Sequence, residues 1–296
     1  LNPTRSLWSL NRVDFGRWCV SKVLCYERLR FRGREFGRIT GVTPVEFDEI
    51  IRRIRPEWSR REKRKKKPGR PYGVGGLEEQ LIALLIYYRC YTTHLFIGAL
   101  FGVDDSTITR RFAVLEPLVA RVTGIKKDRT LRQDDLEILL IDATEQRIER
   151  PVRGQRKFYS GKKKCHTIKT EIQVTEEGRI TAVSKPHPGA VHDMEVRRRG
   201  PPLPGSSRAY VDSGYQGLQK QHQQTELPYK RQKGKPLTND EKEYNRALSR
   251  IRVKVENVFR SLKIFRILTE RYRNKRRGYG IKFNIIAGIV NLKMGY

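Results

Sequence analysis

Residues 166–184 read HTIKTEIQVTEEGRITAVS, and the fold class turns on how this stretch is read. Threonine, isoleucine and valine dominate two short runs, 166–175 and 179–184, on either side of Glu176-Glu177-Gly178. β-Branched side chains suit a pleated surface and glycine suits a reversal, so two strands joined by a tight turn are predicted. Further apolar runs lie on both sides: "EILLID" (137–142) ends in Asp142, "RAYVDSGY" (208–215) carries Asp212, and "ELPYK" (226–230) is a further candidate strand. The middle of the chain is a sheet.

The flanks are helical. Thr43-Pro44-Val45-Glu46 combines a capping threonine, a first-turn proline and a glutamate three residues after the cap, which predicts a helix burying Phe47, Ile50, Ile51 and Ile54. The run "SRREKRKKKPGRP" (59–71) reads as a cationic linker or arm, and its Gly69-Arg70-Pro71 resembles arms that lie in the minor groove of A·T-rich DNA. A buried helix is predicted from Leu77, and "TTHLFIGALFGVDDSTITRRFAVLEPLV" (92–119) has the form of a helix-turn-helix. There Thr93 and Asp104 stand where caps are needed, Gly102-Val103 make the turn, and the second helix opens with Ser106, Thr107, Thr109, Arg110 and Arg111, side chains suited to base edges and phosphates. Two packed helices around a glycine turn would give the same pattern. In the last third, Thr238 and Glu241 form another capping box ahead of a long amphipathic helix, and "YGIKFNIIAGIVNLK" (279–293) is a closing helix expected to pack on the core. These readings divide the chain into an N-terminal helical region (1–60), a basic linker (61–76), a helix-turn-helix domain (77–134) and an α/β domain (135–296).

Of 296 residues, 63 are Lys or Arg and 32 are Asp or Glu, a formal charge of +31. Self-repulsion of that size points to a polyanionic partner, nucleic acid first. The apolar runs 81–88 and 285–290 are far too short to span a bilayer. Four cysteines (Cys19, Cys25, Cys90, Cys165) lack metal-ligand spacing and read as reduced thiols of a cytoplasmic protein.

Against this cationic background the carboxylates stand out. Asp142 and Asp212 are expected at strand ends, where α/β sheets place functional groups. Glu256 falls on the long helix, with Ser249, Arg252, Arg260 and Lys263 within about 40° of its direction and apart from the apolar stripe. Hard divalent cations take one or two carboxylates each, and two such ions about 4 Å apart serve phosphodiester displacement. Taken singly, each acid is equally an ordinary ion-pair partner. His187 and His192 are weaker ligand candidates in a proline-rich loop.

At these residues the chain resembles DDE transposases of the bacterial insertion-sequence-five type, related to Harbinger elements. The stretches that carry the resemblance are "LLIDATEQRIERP" (139–151), "FYSGKKKCHTIKTEI" (158–172), "PGAVHD" (188–193), "YVDSGYQG" (210–217), "VENVFRSLKIFRIL" (255–268) and "AGIVNLK" (287–293), in family order. The resemblance implies a ribonuclease H-like mixed-sheet catalytic domain with Asp142, Asp212 and Glu256 as a metal-binding triad. It further implies two Mg2+ ions, replaceable by Mn2+, hydrolytic cleavage to a 3′-hydroxyl and strand transfer. By the same resemblance Arg252 and Lys263 flank the glutamate, Tyr215 helps position DNA, Asp193 is an accessory acid, and Lys162, Lys163 and Lys164 track phosphate; from the residues themselves, Arg260 beside Glu256 is read as holding the DNA backbone and Arg70 as the DNA contact of the basic arm. Double-stranded DNA, as terminal inverted repeats and as target, is the implied partner of a homodimer in the bacterial nucleoid. Residues 1–40 fall outside the resemblance, and Trp8, Phe15 and Trp18 suggest an ordered helix that serves dimerisation. Three other readings stay open: a sequence-specific DNA-binding protein, inactive or domesticated; a recombinase attacking through tyrosine or serine, whose covalent chemistry would ignore chelator; and a domesticated relative that retains cleavage for a cellular purpose.

Overall fold

Local capping chemistry opens the two longest helices. In the computed structural model, which describes residues 24–65, 69, 71–125, 137–231 and 233–296, the Thr43 hydroxyl accepts from the Glu46 amide at 3.2 Å and the Glu46 carboxylate accepts from the Thr43 amide at 2.7 Å. Two short helices, α1 (Tyr26–Leu29) and α2 (Gly33–Thr40), precede the helix opened there, α3 (Pro44–Lys63). All four predicted apolar positions of α3 are buried. The helix continues past residue 60 into the stretch read as linker, because Arg60 pairs with Glu57 and Lys65 with Glu62 across single turns.

Next come α4 (Leu77–Cys90), α5 (His94–Phe101) and α6 (Asp105–Thr123). Ten of the fourteen residues of α4 are buried, so a helix apolar on every side lies inside the molecule. Thr93 caps α5 through the Phe96 amide at 3.1 Å, and Gly102 turns the chain at φ 65°, a left-handed conformation glycine adopts without steric cost. Asp104 occupies the cap position of α6 without a side-chain cap bond.

The sheet region contains β1 (Ile138–Arg147), α7 (Gln155–Phe158), β2 (Tyr159–Ser160), β3 (Cys165–Thr175), β4 (Ile180–Val183), β5 (His187–Pro188), α8 (Asp193–Arg198), β6 (Arg208–Tyr210) and β7 (Thr225–Glu226). β1 and β3 form the antiparallel centre, with Leu140 opposite Val174 and Asp142 opposite Ile172. β4, β5 and β2 pair in turn along the length of β3. β6 runs parallel to β1 and β7 parallel to β6. This mixed sheet behind a helical region with a helix-turn-helix is ribonuclease H-like, as the sequence implied. Because side chains alternate across the sheet, Leu139 and Ile141 pack with Ala209, Val211, Tyr215 and Leu218 on one face, while Leu140, Ile168, Ile172 and Val174 join the main core on the other.

The long helix α9 (Asn239–Lys263) and the closing helix α10 (Tyr279–Lys293) complete the chain. Thr238 and Glu241 form the predicted capping box of α9. α10 lies against α6, where a side chain at Gly288 would overlap the Thr123 carbonyl. Asn284 accepts from the Ile125 amide at 3.1 Å, and Lys282 pairs with Glu116 at 2.8 Å. The main core runs from Tyr26 to Val290, so the helical region and the sheet share one hydrophobic interior. Trp8, Phe15, Trp18, Cys19 and Arg70 lie outside the described residues. Cys25, Cys90 and Cys165 are unpaired thiols.

Candidate active site

The parallel register of β1 and β6 brings two of the expected acids together. Ladder pairing ends at Leu140 with Tyr210, and two residues further along each chain stand Asp142 and Asp212. Asp142 is mid-strand rather than at a strand end, because β3 continues to pair with β1 up to Arg147. What ends there is β6, and beyond it Asp212 opens a short 3-10 turn, its carboxylate accepting from the Gly214 amide at 2.7 Å. The Asp142 carboxylate accepts from the Ala143 amide at 2.8 Å. From α9, the Arg252 guanidinium faces Asp142 at 3.6 Å.

Burial pushes the Asp142 carboxyl up to about 6, and the charges of Asp212 and Asp193 add to the rise while Arg252 and the Ala143 amide oppose it. A third acid therefore belongs to this neighbourhood. Asp193, the first residue of α8, is held by Lys169 at 2.8 Å, and the buried Lys169 ammonium also contacts Glu145 at 3.3 Å and the Val191 carbonyl at 2.7 Å. A Cβ on Gly214 would lie 2.6 Å from Asp193 Oδ2 and 2.9 Å from Asp212 Oδ1. The bare backbone of Gly214 is thus the spacer between the two carboxylates.

Beneath the acids lies a buried ionic layer. Arg197 of α8 donates to Glu171 of β3 at 2.6 Å, and each side chain is 3% exposed. Burial pushes the Glu171 carboxyl up to about 7, opposed first by the Arg197 charge. The Tyr215 hydroxyl and the Gln173 amide pull in the same direction as Arg197, but neither completes a hydrogen bond to Glu171 Oε2, which has no partner. Tyr215 is fully buried, with no surface to offer a DNA strand, so it meets the acids from below. Sequence reasoning named Asp193 but missed Lys169, Glu171, Arg197 and Gly214. Only the alternation along β3, which turns Lys169 and Glu171 to the α8 face, could have suggested the first two.

Glu256 is exposed on α9, one turn beyond Arg252 and on the same face. Among the described residues, no three acidic, histidine or cysteine side chains are gathered tightly enough to hold a metal ion by themselves, and His187 and His192 form no such group either. Asp142 and Asp212 nevertheless suit a hard divalent cation: both donate oxygen, and their mutual repulsion is one that a cation relieves.

The other named side chains form two cationic areas. Lys162, Lys163 and Lys164 are exposed at the turn between β2 and β3, with Lys164 at φ 52°, and Arg260 and Lys263 are exposed near the end of α9. On α6, Ser106, Thr109 and Arg110 are exposed, Thr107 and Arg111 partly so, and Arg110 donates to Thr107 at 3.3 Å. Thr109 is engaged by His94 at 2.8 Å. Arg111 stacks on the Tyr72 ring, 4.4 Å from its centroid, and the Tyr72 hydroxyl donates to Glu62 at 2.8 Å. Tyr72, unremarked in the sequence, ties the basic end of α3 to the first turns of α6. No helix among the described residues is long and apolar enough to cross a membrane.

A ribonuclease H-like sheet with paired aspartates, joined to a helix-turn-helix, defines a nucleic-acid-processing enzyme. The comparisons are specific: residues 141–291 match the DDE superfamily endonuclease family, and residues 76–124 match the helix-turn-helix of DDE superfamily endonucleases. A relative from Microchaete diplosiphon, "Probable transposase for insertion sequence element IS702", is 35% identical over 267 residues, covering 88% of this chain and 95% of its own. A second, from Streptomyces albus G, "Putative transposase for insertion sequence element IS112", is 23% identical over 235 residues, covering 78% and 84%. No solved structure gives a significant match. The chain belongs to the DDE superfamily endonucleases.

Proposed function

We propose that this protein is a transposase of the insertion-sequence-five type, related to Harbinger elements, acting on the ends of its own mobile element in the bacterial cytoplasm. The observation that carries this reading is the β1–β6 register, which sets Asp142 beside Asp212 within a family of endonucleases. The helix-turn-helix domain, 77–134, binds the terminal inverted repeats through Ser106, Thr107, Thr109, Arg110 and Arg111, supported by Arg70 of the 61–76 linker. Residues 135–296 carry the chemistry, and a homodimer holding two ends, with residues 1–60 as its contact, suits the reaction. Asp142 and Asp212, with Glu256 from α9, are the residues that would hold Mg2+ or Mn2+, whose Lewis acidity would be supplied to the phosphodiester.

The chain's own groups do the rest. Lys162, Lys163, Lys164, Arg260 and Lys263 hold the DNA backbone across the acids. Arg252 neutralises Asp142 and carries Glu256 on the same helical face, while Tyr215 and Asp193 fix the acids from below and beside. Water attacks a phosphodiester at the element's end, leaving a 3′-hydroxyl and a 5′-phosphate, and that 3′-hydroxyl then bonds to a target phosphorus and displaces a target 3′-hydroxyl, with no covalent link to the protein.

The test incubates the protein with the DNA flanking its own reading frame, with magnesium or with chelator, and compares wild type with Asp142→Asn. Metal-dependent nicks bearing 3′-hydroxyls near inverted repeats, lost in the variant, are expected. Tight binding without cleavage under any metal would leave a DNA-binding protein, and cleavage that survives chelator would indicate a tyrosine or serine recombinase.

A further inference from the structure

A cavity of about 510 Å³ opens between the β3–β4 hairpin and the segment that follows α8, and none of the acids of the candidate active site lines it. The floor is the buried Glu171–Arg197 pair. Arg197 is committed to Glu171 and to the Pro201 carbonyl, but Glu171 Oε2 is buried with no hydrogen-bond partner. A buried acceptor without a donor is costly, and a ligand N–H would relieve it. Ala182, with Ile125 and Val196, supplies apolar wall. At the mouth stand two exposed cations: Lys185, which makes no ion pair among the described residues, and Arg199, which shares Glu195 with Arg198.

The lining combines a buried acceptor, apolar and hydroxyl side chains, and exposed positive charge. A simple anion would meet Glu171, and a simple cation would meet Lys185 and Arg199. What fits is a flat group with a donor at its inner end and an anion at its outer end. The size lies within the range of small-ligand clefts. The geometry points to a pocket for one nucleotide: an amino-bearing base on Glu171 and its phosphate at Lys185 and Arg199. Carboxylates accept from exocyclic amino groups such as cytosine N4, so cytosine is a suitable probe. The nucleotide comes either from solution or from an unpaired position of a DNA strand. Only the second source rests on the reading proposed above.

The experiment uses the full chain in chelator, so cleavage plays no part. Binding of dCMP and of deoxycytidine is measured by ligand-observed NMR. A single-stranded oligonucleotide of about 20 residues carrying one 2-aminopurine is titrated for emission and anisotropy together. Ala182→Phe fills the slot from the β4 side, where Ala182 pairs with Gln173 across the β3–β4 ladder. Thermal melting confirms that the variant folds.

Wild type is expected to bind dCMP, with Ala182→Phe weakening it about tenfold or more. Lys185→Ala should weaken dCMP but leave deoxycytidine unchanged. A 2-aminopurine response reduced in Ala182→Phe at unchanged anisotropy assigns the occupant to a DNA strand. An unchanged response with dCMP binding lost assigns it to free nucleotide. Wild type that binds neither probe in the slot, or Ala182→Phe that matches wild type with both, overturns the proposal. Loss of metal-dependent cleavage as a reading would leave the dCMP result standing.

Discussion

Gly214 has no side chain because two carboxylates occupy the space one would need, with Asp193 Oδ2 and Asp212 Oδ1 at 2.6 and 2.9 Å from the position of its Cβ. Gly214→Ala must push at least one of them aside. DNA cleavage is expected to fall about tenfold or more, since small misplacements in a reacting site are expensive, while DNA affinity stays the same. Cleavage assays beside anisotropy titrations would show this, and full activity in the variant would mean the acids tolerate displacement. Asp142 makes a second prediction. Its carboxyl titrates near 6 in the folded protein against an ordinary 3.8, so between those values the folded state keeps a proton that the unfolded chain has released. Stability therefore falls as pH rises through that window. Asp142→Asn, which cannot titrate, should gain roughly 1–3 kcal/mol over wild type between pH 4 and 7, read from urea unfolding in chelator. A constant difference across that range would show that burial does not set this group's titration.

Elements inherit their limits from a few side chains. The capping threonines, the turn glycine Gly102 and the closing helix were legible because cap and turn chemistry is local. Asp142 was misplaced because a strand's end depends on its neighbours. An apolar run stops at Asp142, yet β3 keeps pairing to Arg147 through polar residues that no hydrophobic pattern marks. Likewise α3 enters the basic run because glutamates within it neutralise the arginines and lysines one turn away. α9 carries both Arg252 and Glu256 behind the Thr238 cap. Thr238→Ala removes an acceptor for the Glu241 amide and should lower stability by about 1 kcal/mol, measured by thermal or urea unfolding. No change would mean the first turn of α9 frays without consequence.

Across the whole molecule, the helix-turn-helix and the sheet are joined through α10. Gly288 lets that helix approach the Thr123 carbonyl, so Gly288→Leu should force α10 away from α6 and destabilise the protein by several kcal/mol. Unfolding monitored at both regions should remain a single transition, because they share one core. Two separate transitions would show independent domains. With a charge of +31, DNA affinity should be strongly salt-dependent. Replacing Arg110, exposed on α6, with alanine should reduce the slope of log affinity against log salt by about one. An unchanged slope would remove Arg110 from the phosphate contacts.

The sequence by itself determined the capped and long helices, the runs that carry β1, β3, β4 and β6, the acids to watch and a charge that calls for a polyanion, because caps, periodicity and net charge are written in neighbouring residues. The tertiary structure decided which acids meet. Asp142 and Asp212 are 70 positions apart in the chain and become neighbours only through the parallel register of β1 and β6. Asp193 joins them through Lys169 and the missing side chain of Gly214. Burial then raises the Asp142 carboxyl, and burial belongs to the packed fold, where long-range contacts exclude water from groups that the sequence shows only as polar.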